Sequence, residues 1–490
     1  MQKILRNKIT GSTDTIKFYL NDDLIELKGI GARDTLLEYL RLERHLTGCK
    51  EGCGEGDCGA CTVLIARLES DDLVYKTVNA CICLLPSLNA SHIVTIESLR
   101  RLDGTLHPVQ KAMVEHHGSQ CGFCTPGIVM SLYGAWLKSI EPTIFNIENS
   151  LQGNLCRCTG YGPIIEAAKS IGNYGSLSED KLIQEKSSMQ NNLTQLELRR
   201  SVMGNKEGSK FMLPKSVEDL SQMLLKNPEA IIVAGATDVG LWITKDLALL
   251  TPLIFVGNLK DLKKVLIHKE RIEFGSCVTY SQAEKVFSEY LPATSAYFAR
   301  IAGEQIRNVG TVGGNIGNGS PIGDLAPLFI ALDATMILRR GNETREIAVE
   351  NFFLDYNSQD IRKSEFIESI HVPIKENLSI FPYKVSKRRD EDISTIAAVF
   401  SFKIIDNKML NVRAVYGGMA GVPRRALNLE ETLEGKAFDN SIAKLAQLTL
   451  RTDFKPMSDL RASSEYRMEV AKNLIMKCQK EYIRQNHFEN

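Results

Sequence analysis

The chain is predicted to be a multidomain α+β protein, and three features of its sequence carry that prediction. Strand-like alternation fills residues 15–96, a 3.6-residue apolar period takes over in residues 105–172, and beyond a polar stretch two glycine-rich loops punctuate a mixed region. A length of 490 residues, with 43% hydrophobic and 24% charged residues, suits three or four globular domains. The expected boundaries are a small α+β domain at 12–98, a four-helix domain at 99–175, a linker at 176–208, a glycine-punctuated α+β domain at 209–378 and an α+β C-terminal domain at 379–490.

The elements follow in order. TIKFYL and DLIEL are strands separated by the turn formers Asn21, Asp22 and Asp23, and TVLIARL, KTVNACI and HIVTIES continue the sheet. One helix, TLLEYLRLERH, interrupts them. Helices are then expected at HPVQKAMVEHH, PGIVMSLYGAWLKS, TIFNIENSLQG and PIIEAAKSIG, with Thr125 as an N-cap and Pro126 and Pro163 in first turns. From about Asn173 to Lys210 the chain is polar and reads as a linker, although a few apolar residues at helical spacing allow part of it to pack. TIAAVFSFKII and NVRAVYGGMAG are later strands, followed by helices to the end.

Lysine and arginine balance aspartate and glutamate at 59 each, so the chain has no broad electrostatic footprint for nucleic acid or an acidic membrane. The N-terminus MQKILRNKITGSTDT lacks an apolar core, and about 18 consecutive apolar residues occur nowhere. A cytoplasmic location is expected, where thiols stay free.

Eight of the twelve cysteines fall into two sets. In GCGEGDCGAC, Cys53, Cys58 and Cys61 form a C-x4-C-x2-C run completed by Cys81, the spacing of a plant-type [2Fe-2S] site. Gly52, Gly54, Gly56 and Gly59 interleave with them, which lets backbone amides approach cluster sulfurs. Structural zinc is the alternative, but its paired C-x2-4-C knuckles fit poorly because Cys81 has no close partner. The second set joins Cys121 and Cys124 in QCGFC to Cys156 and Cys158 in LCRC. Its spacing alone leaves zinc open. Both of its pairs sit just before expected helix N-termini, where amides and the dipole favour an anionic cluster. Cys49, Cys83, Cys277 and Cys478 default to ordinary packing residues, and His116 and His117 to a solvated helix end. Trp136 and Trp242 are expected in the core or an interface.

Two loops suit a dinucleotide through bare backbone amides: IIVAGATDVG and NVGTVGGNIGNGSPIGDLAP. Neither matches G-x-G-x-x-G, since Gly317-Asn-Gly319-Ser-Pro-Ile-Gly323 is one residue too long, so a Rossmann reading is excluded. Taken alone, loops of this kind serve equally well as ligand-free connections.

Together, QCGFCTPG, GNLCRCTGYGP, GCGEGDCGACTV, VGGNI followed by SPIGDLAP, and RRDED near a lysine resemble the xanthine dehydrogenase family of molybdenum hydroxylases, in the family's order and over nearly the whole chain. The resemblance is to the bacterial iron-sulfur and FAD subunit, whose molybdopterin-binding partner is a separate large chain. It implies a β-grasp ferredoxin-like domain, a four-helix [2Fe-2S] domain, an FAD domain of the vanillyl-alcohol-oxidase/PCMH type and a C-terminal domain that completes the flavin and NAD site. It implies that Cys53, Cys58, Cys61 and Cys81 hold one [2Fe-2S] cluster and Cys121, Cys124, Cys156 and Cys158 the other. For FAD it implies Val233, Ala234, Gly235, Ala236, Thr237, Asp238, Val239 and Gly240 in one segment, then Ile301, Thr311, Gly314, Asn315, Ser320 and Asp324. Lys384 matches a family lysine near the flavin. Arg388, Arg389, Asp390, Glu391 and Asp392 match a mobile loop, with Lys384, Arg389 and Glu391 as catalytic candidates.

The sequence departs from the family pattern at Gly162, where many relatives carry Arg, and at Ile301, where some carry an aromatic. The function implied is passage of electrons from molybdopterin on the large subunit through both clusters to FAD and then NAD+, in oxidation of hypoxanthine and xanthine to urate. Two small and two large subunits are implied. A related hydroxylase acting on an aldehyde or N-heterocycle, and a non-enzymatic redox carrier or sensor, are the alternatives.

Overall fold

The computed structural model describes residues 13–70, 72–100, 103–197 and 201–487. The expectations for residues 1–12 and for Leu198, Arg199 and Arg200 of the polar stretch lie outside them. The chain divides into two compact units, one comprising residues up to Lys260 with Gly303–Val309, the other Asp261–Ala302 with the remainder from Gly310.

In the first unit, alternation buries Ile16 and Phe18 completely on β1 (Ile16–Leu20), which pairs antiparallel with β2 (Asp23–Leu27) across a turn where Asn21 takes φ 54°. With β3 (Thr62–Glu69), β4 (Asp72–Asn79) and β5 (His92–Val94) they form a sheet of order β2-β1-β5-β3-β4, parallel only at β1 and β5. Helix α1 (Leu36–Glu38) opens on a capping box between Thr35 and Glu38 and continues as a π turn over Tyr39–Glu43. It packs Leu36 and Leu40 against Ile16 and Phe18, as expected of a β-grasp domain.

The near-continuous apolar run of β3 has a simple cause. Val63 and Ile65 enter that core, while Leu64 and Ala66 enter a second one built by the helical domain, so the strand is buried on both faces. The helices there are α2 (Pro108–Glu115), α3 (Thr125–Leu137), α4 (Ile144–Leu151) and α5 (Gly162–Ser170). Cys124, rather than Thr125, occupies the N-cap of α3; the Thr125 hydroxyl is engaged instead with Ser119 Oγ at 2.7 Å.

The described residues of the expected linker form secondary structure and pack. Within 176–208 lie α6 (Lys181–Gln184), α7 (Lys186–Leu196) and β6 (Val202–Lys206), and α7 buries Met189 and Leu193, one turn apart, in the helical-domain core. The segment is also held by a polar residue: buried Asp180 accepts from His107 Nε2 at 2.9 Å and Tyr133 Oη at 2.9 Å. β7 (Ser209–Leu213), α8 (Val217–Lys226), β8 (Ile231–Val233), α9 (Val239–Thr244) and β9 (Leu253–Phe255) complete the unit, with sheet order β6-β7-β9-β8.

The second unit contains an antiparallel sheet of order β10-β11-β16-β12-β13, from β10 (Val265–Ile267), β11 (Arg271–Gly275), β12 (Thr335–Arg340), β13 (Glu343–Ala348) and β16 (Phe366–Pro373), with β14 (Phe353–Asp355) and β15 (Ser358–Gln359) as a separate pair. Helices α10 (Tyr280–Tyr290) and α11 (Ser295–Phe298) bring Phe287 and Phe298 against Phe274 and Phe329. A second sheet runs β17 (Leu378–Val385), β18 (Ile396–Ile405), β19 (Lys408–Gly417) and β20 (Arg424–Arg425). Val399 and Val415 face the first sheet's core, and Phe400 and Ala414 face the helices Leu427–Leu433, Asn440–Asp453 and Ser464–His487. No helix among the described residues is long and apolar enough to cross a membrane.

Candidate cofactor sites

Cys53, Cys58 and Cys61 lie on the loop that enters β3, and Cys81 follows β4, so sheet pairing of β3 with β4 delivers the distant fourth thiol. Cys53 Sγ accepts from the backbone amides of Glu55 at 3.4 Å, Asp57 at 3.3 Å and Cys58 at 3.3 Å, and the Cys53 amide donates to Cys58 Sγ at 3.3 Å. A side chain on Gly52 would start 2.7 Å from Cys58 Sγ, and Gly56 takes φ +81°, a left-handed conformation that favours glycine. Hydrogen bonds from Cys58 and Cys81 hold Cys53 far below the usual thiol range, and the same bonds push Cys58 and Cys81 above it; Cys61 is lowered chiefly by Cys81. Four thiols wrapped by converging amides fit a two-iron cluster, whose sulfurs need such donors. No group of three or more His, Cys, Asp or Glu among the described residues converges on a single-ion site.

Cys49 and Cys83 are otherwise engaged. Cys49 Sγ donates to the Cys61 carbonyl at 3.2 Å, and Cys83 Sγ lies 3.9 Å from Ser87 Oγ, with burial pushing its thiol up to about 11. Lys245 is a residue that spacing could not reveal: its ammonium donates to the Cys53 carbonyl and lies 3.8 Å from Glu55.

In the second set Cys121 pairs with Cys158 and Cys124 with Cys156. The Phe123 amide, then Cys158, lowers Cys121, and Cys121 in turn raises Cys158. Burial, then Cys156, pushes Cys124 up to about 12. Hydrogen bonds led by Thr159, whose hydroxyl is 3.2 Å away, outweigh burial at Cys156 and lower it. Tyr161, another residue without a sequence signal, accepts from the Cys156 amide at 2.8 Å and donates to the Asn154 carbonyl at 3.3 Å. Cys121 and Cys158 are exposed.

The two cysteine loops touch backbone to backbone. The Leu155 amide donates to the Cys58 carbonyl at 3.0 Å, and Asn154 Nδ2 to the Gly59 carbonyl at 3.3 Å. Side chains could not fit: one on Gly59 would start 2.0 Å from the Gly153 carbonyl, and one on Gly127 would start 2.1 Å from that of Gly59.

The first glycine loop belongs to the first unit. β8 ends at Val233 and runs through Ala234, Gly235, Ala236 at φ 58°, Thr237 and Asp238 into α9, which begins at Val239. Val233, Ala236 and Val239 are buried, whereas Asp238 is exposed and its carbonyl accepts from Leu241 and Trp242. Gly240 serves packing, since a side chain there would start 2.9 Å from Ile82 Cβ. Trp242, expected in the core or an interface, is 36% exposed.

The second loop belongs to the second unit. Thr311 caps the helix Val312–Asn318 by accepting from the Gly314 amide at 3.0 Å, and Gly314 and Gly317 leave the helix surface without side chains on an exposed face. Asn315 bridges Tyr280 Oη at 3.1 Å and the Leu325 amide at 3.3 Å, and Ser320 Oγ accepts from the Ile322 amide at 3.3 Å. Lys384 and Asp324 come together as a buried ion pair at 2.6 Å, with Ser394 bridging them. Arg389 and Glu391 sit on the bend after β17, where the Arg389 carbonyl accepts from Arg300 at 3.3 Å and the Glu391 carbonyl from Arg388 at 2.7 Å. Arg300 also binds the Lys384 carbonyl and Ser386 Oγ, and so pins the bend. Ile301 is 3% exposed and belongs to the aromatic core.

Family models match four stretches: a 2Fe-2S iron-sulfur cluster binding domain at 20–86, a [2Fe-2S] binding domain at 95–169, an FAD binding domain in molybdopterin dehydrogenase at 206–375 and a CO dehydrogenase flavoprotein C-terminal domain at 381–482. A xanthine dehydrogenase of Emericella nidulans is 32% identical over 483 residues, covering 87% of this chain and 35% of that protein. The chain belongs to the xanthine dehydrogenase family of molybdenum hydroxylases. A second relative in the family, the xanthine dehydrogenase/oxidase of Rattus norvegicus, is 31% identical over 459 residues, covering 84% of this chain and 34% of that protein. The chain thus spans about a third of the length of the curated relatives it matches. Among solved structures, a chain of a Cu,Mo-CO dehydrogenase shares the fold at TM-score 0.52 and 24% identity, covering 55% of this chain and 94% of that one.

Proposed function

We propose that this xanthine dehydrogenase family member is the electron-transfer subunit of a xanthine dehydrogenase. It takes electrons from a molybdopterin-bearing large subunit through the helical-domain and then the ferredoxin-like cysteine set to FAD and NAD+, as hypoxanthine and xanthine are oxidised to urate. The observation that carries the reading is the direct hydrogen bond from the Leu155 amide to the Cys58 carbonyl, which joins a residue of one cysteine set to the neighbour of a residue in the other. Relatives bearing the name xanthine dehydrogenase support the choice of substrate.

In this reading Cys53, Cys58, Cys61 and Cys81 hold one cluster, and Cys121, Cys124, Cys156 and Cys158 the other. The loops Val233–Gly240 and Thr311–Asp324 hold FAD. The bound groups supply one-electron transfer and its conversion to a two-electron product. The chain's own residues set the field: amides of Glu55, Asp57 and Cys58 aim positive dipole at Cys53 Sγ, and Lys384 neutralises Asp324 in a pair largely withdrawn from water. Arg389 and Glu391 on the pinned bend govern access for NAD+.

The test is purification of the native complex with iron, flavin and molybdenum measured together. About four irons and one FAD per chain, a large subunit in equal amount and NADH formation with xanthine are expected. NADH formation with aldehydes or N-heterocycles and none with purines would sink the substrate assignment.

A further inference from the structure

We propose that Gln305 is a positioning residue for both cysteine sets, fixing the two cysteine loops against each other. The inference rests on the reading of those cysteines as cluster ligands.

Gln305 lies on a single helical turn, Glu304–Arg307, within the segment Gly303–Val309, which packs in the first unit although the chain on either side belongs to the second. It is fully buried. Its Nε2 stands 3.2 Å from Thr62 Oγ1, 3.2 Å from Ser131 Oγ, 3.3 Å from the Gly153 carbonyl and 3.0 Å from Asn154 Oδ1. These acceptors come from both sets. Thr62 follows Cys61, Ser131 is on the helix that begins after Cys124, and Gly153 and Asn154 lead into Cys156. One amide nitrogen with two protons is therefore shared by the strand leaving one set and by two elements flanking the other.

The other end of the side chain shows that packing alone does not explain it. Gln305 Oε1 is buried without a hydrogen-bond partner, a cost that an apolar side chain of the same length would avoid. The fit is also too tight for adjustment, because a side chain on Gly153 would start 1.9 Å from that oxygen. The neighbours hold the turn in place: Glu304 pairs with Lys138, Arg307 Nη1 donates to Gln152 Oε1 at 2.9 Å, and Asn308 Nδ2 donates to the Thr77 carbonyl at 3.0 Å. The side chains of Glu304, Arg307 and Asn308 thus anchor the turn on the cysteine-bearing domains, and Gln305 bonds to both of those domains.

The test uses the full chain in its native complex, reduced and observed by low-temperature electron paramagnetic resonance, with iron and FAD content measured in parallel. Gln305→Met keeps the length and removes the donors; Arg307→Met loosens the same turn without touching the acceptors of Gln305. Expected in Gln305→Met are shifted g-values and midpoint potentials for both clusters and loss of the spin-spin splitting between them, with FAD content unchanged. Arg307→Met should leave all three as in the wild type. If Gln305→Met loses iron, Gln305→Asn, which keeps the amide but withdraws it by one methylene, should shift both signals. Unchanged spectra, a shift in one cluster only, or the same shifts in Arg307→Met would overturn the positioning role. A wild-type complex with iron but without two cluster signals would overturn the ligand assignment, and the positioning role with it.

Discussion

Cys58 and Leu155 are joined through their backbones: the carbonyl of one accepts from the amide of the other at 3.0 Å, and Leu155 is itself followed by Cys156. Around that bond Gly59, Gly127 and Gly153 leave no room for a side chain. Gly59→Ala, which combines a collision with φ +68°, should therefore cost roughly 3 kcal/mol or more and yield protein deficient in both clusters. By contrast Gly162, where a side chain would meet nothing within 4 Å, should accept an arginine with a change of about 0.5 kcal/mol or less. Thermal unfolding and iron content measured on the two variants check this, and iron loss in Gly162→Arg would contradict it.

Lys384 and Asp324 form a pair in which the lysine side chain is 1% exposed. Removing one partner leaves a buried charge, so Lys384→Met should lower stability by about 3–5 kcal/mol. Adding Asp324→Asn should recover at least about 1 kcal/mol of that loss. Denaturant titrations of both single variants and the double variant measure the coupling; simple additivity would show that the pair does not act as a unit.

Lys245 places a partly exposed positive charge on the carbonyl of Cys53. Positive charge near a cluster favours its reduced form, so Lys245→Gln should lower the midpoint potential of the ferredoxin-like cluster by on the order of tens of millivolts. Salt should shrink the difference. Redox titration followed by the cluster's magnetic signal gives the answer, and an unmoved potential at low salt would exclude the effect.

His92 is 3% exposed, and burial pushes its pKa down to about 4 despite the Asn21 carbonyl at 2.8 Å. Between that value and the ordinary 6.5 the unfolded chain binds a proton that the folded chain refuses, so stability falls as pH drops through this window. The loss amounts to roughly 3 kcal/mol. His92→Gln should flatten the slope of stability between pH 6.5 and 4, and an unchanged slope would place its cause elsewhere.

What the sequence made legible is what covalent spacing or periodicity encodes. The C-x4-C-x2-C run needs only a loop, and the later cysteine pairs announce themselves by the helices they precede. The alternation of Ile16, Phe18 and Leu20 marks a half-buried strand. Residues that act through tertiary neighbours left no such trace. Gln305 stands in AGEQIRNVG without a pattern, and its partners lie 151 to 243 positions away. Met189, Leu193 and Asp180 turn a polar, linker-like stretch into packed structure because two apolar residues one turn apart and one buried carboxylate suffice. Glycine richness mixed two roles. Gly314 and Gly317 expose bare backbone, whereas Gly240 and Gly313 make room for Ile82 and Ser276.

The segment Gly303–Val309 also bears on how this protein can be inherited and taken apart. The chain passes between the two units at 260/261, 302/303 and 309/310, so the first unit does not correspond to an uninterrupted stretch of gene. A fusion, shuffling event or engineered split that transferred only the part encoding residues up to Lys260 would carry all eight clustered cysteines. It would leave behind the amide on which Thr62, Ser131 and Asn154 converge. Portability of the cysteine-bearing half therefore depends on seven residues encoded after its apparent end.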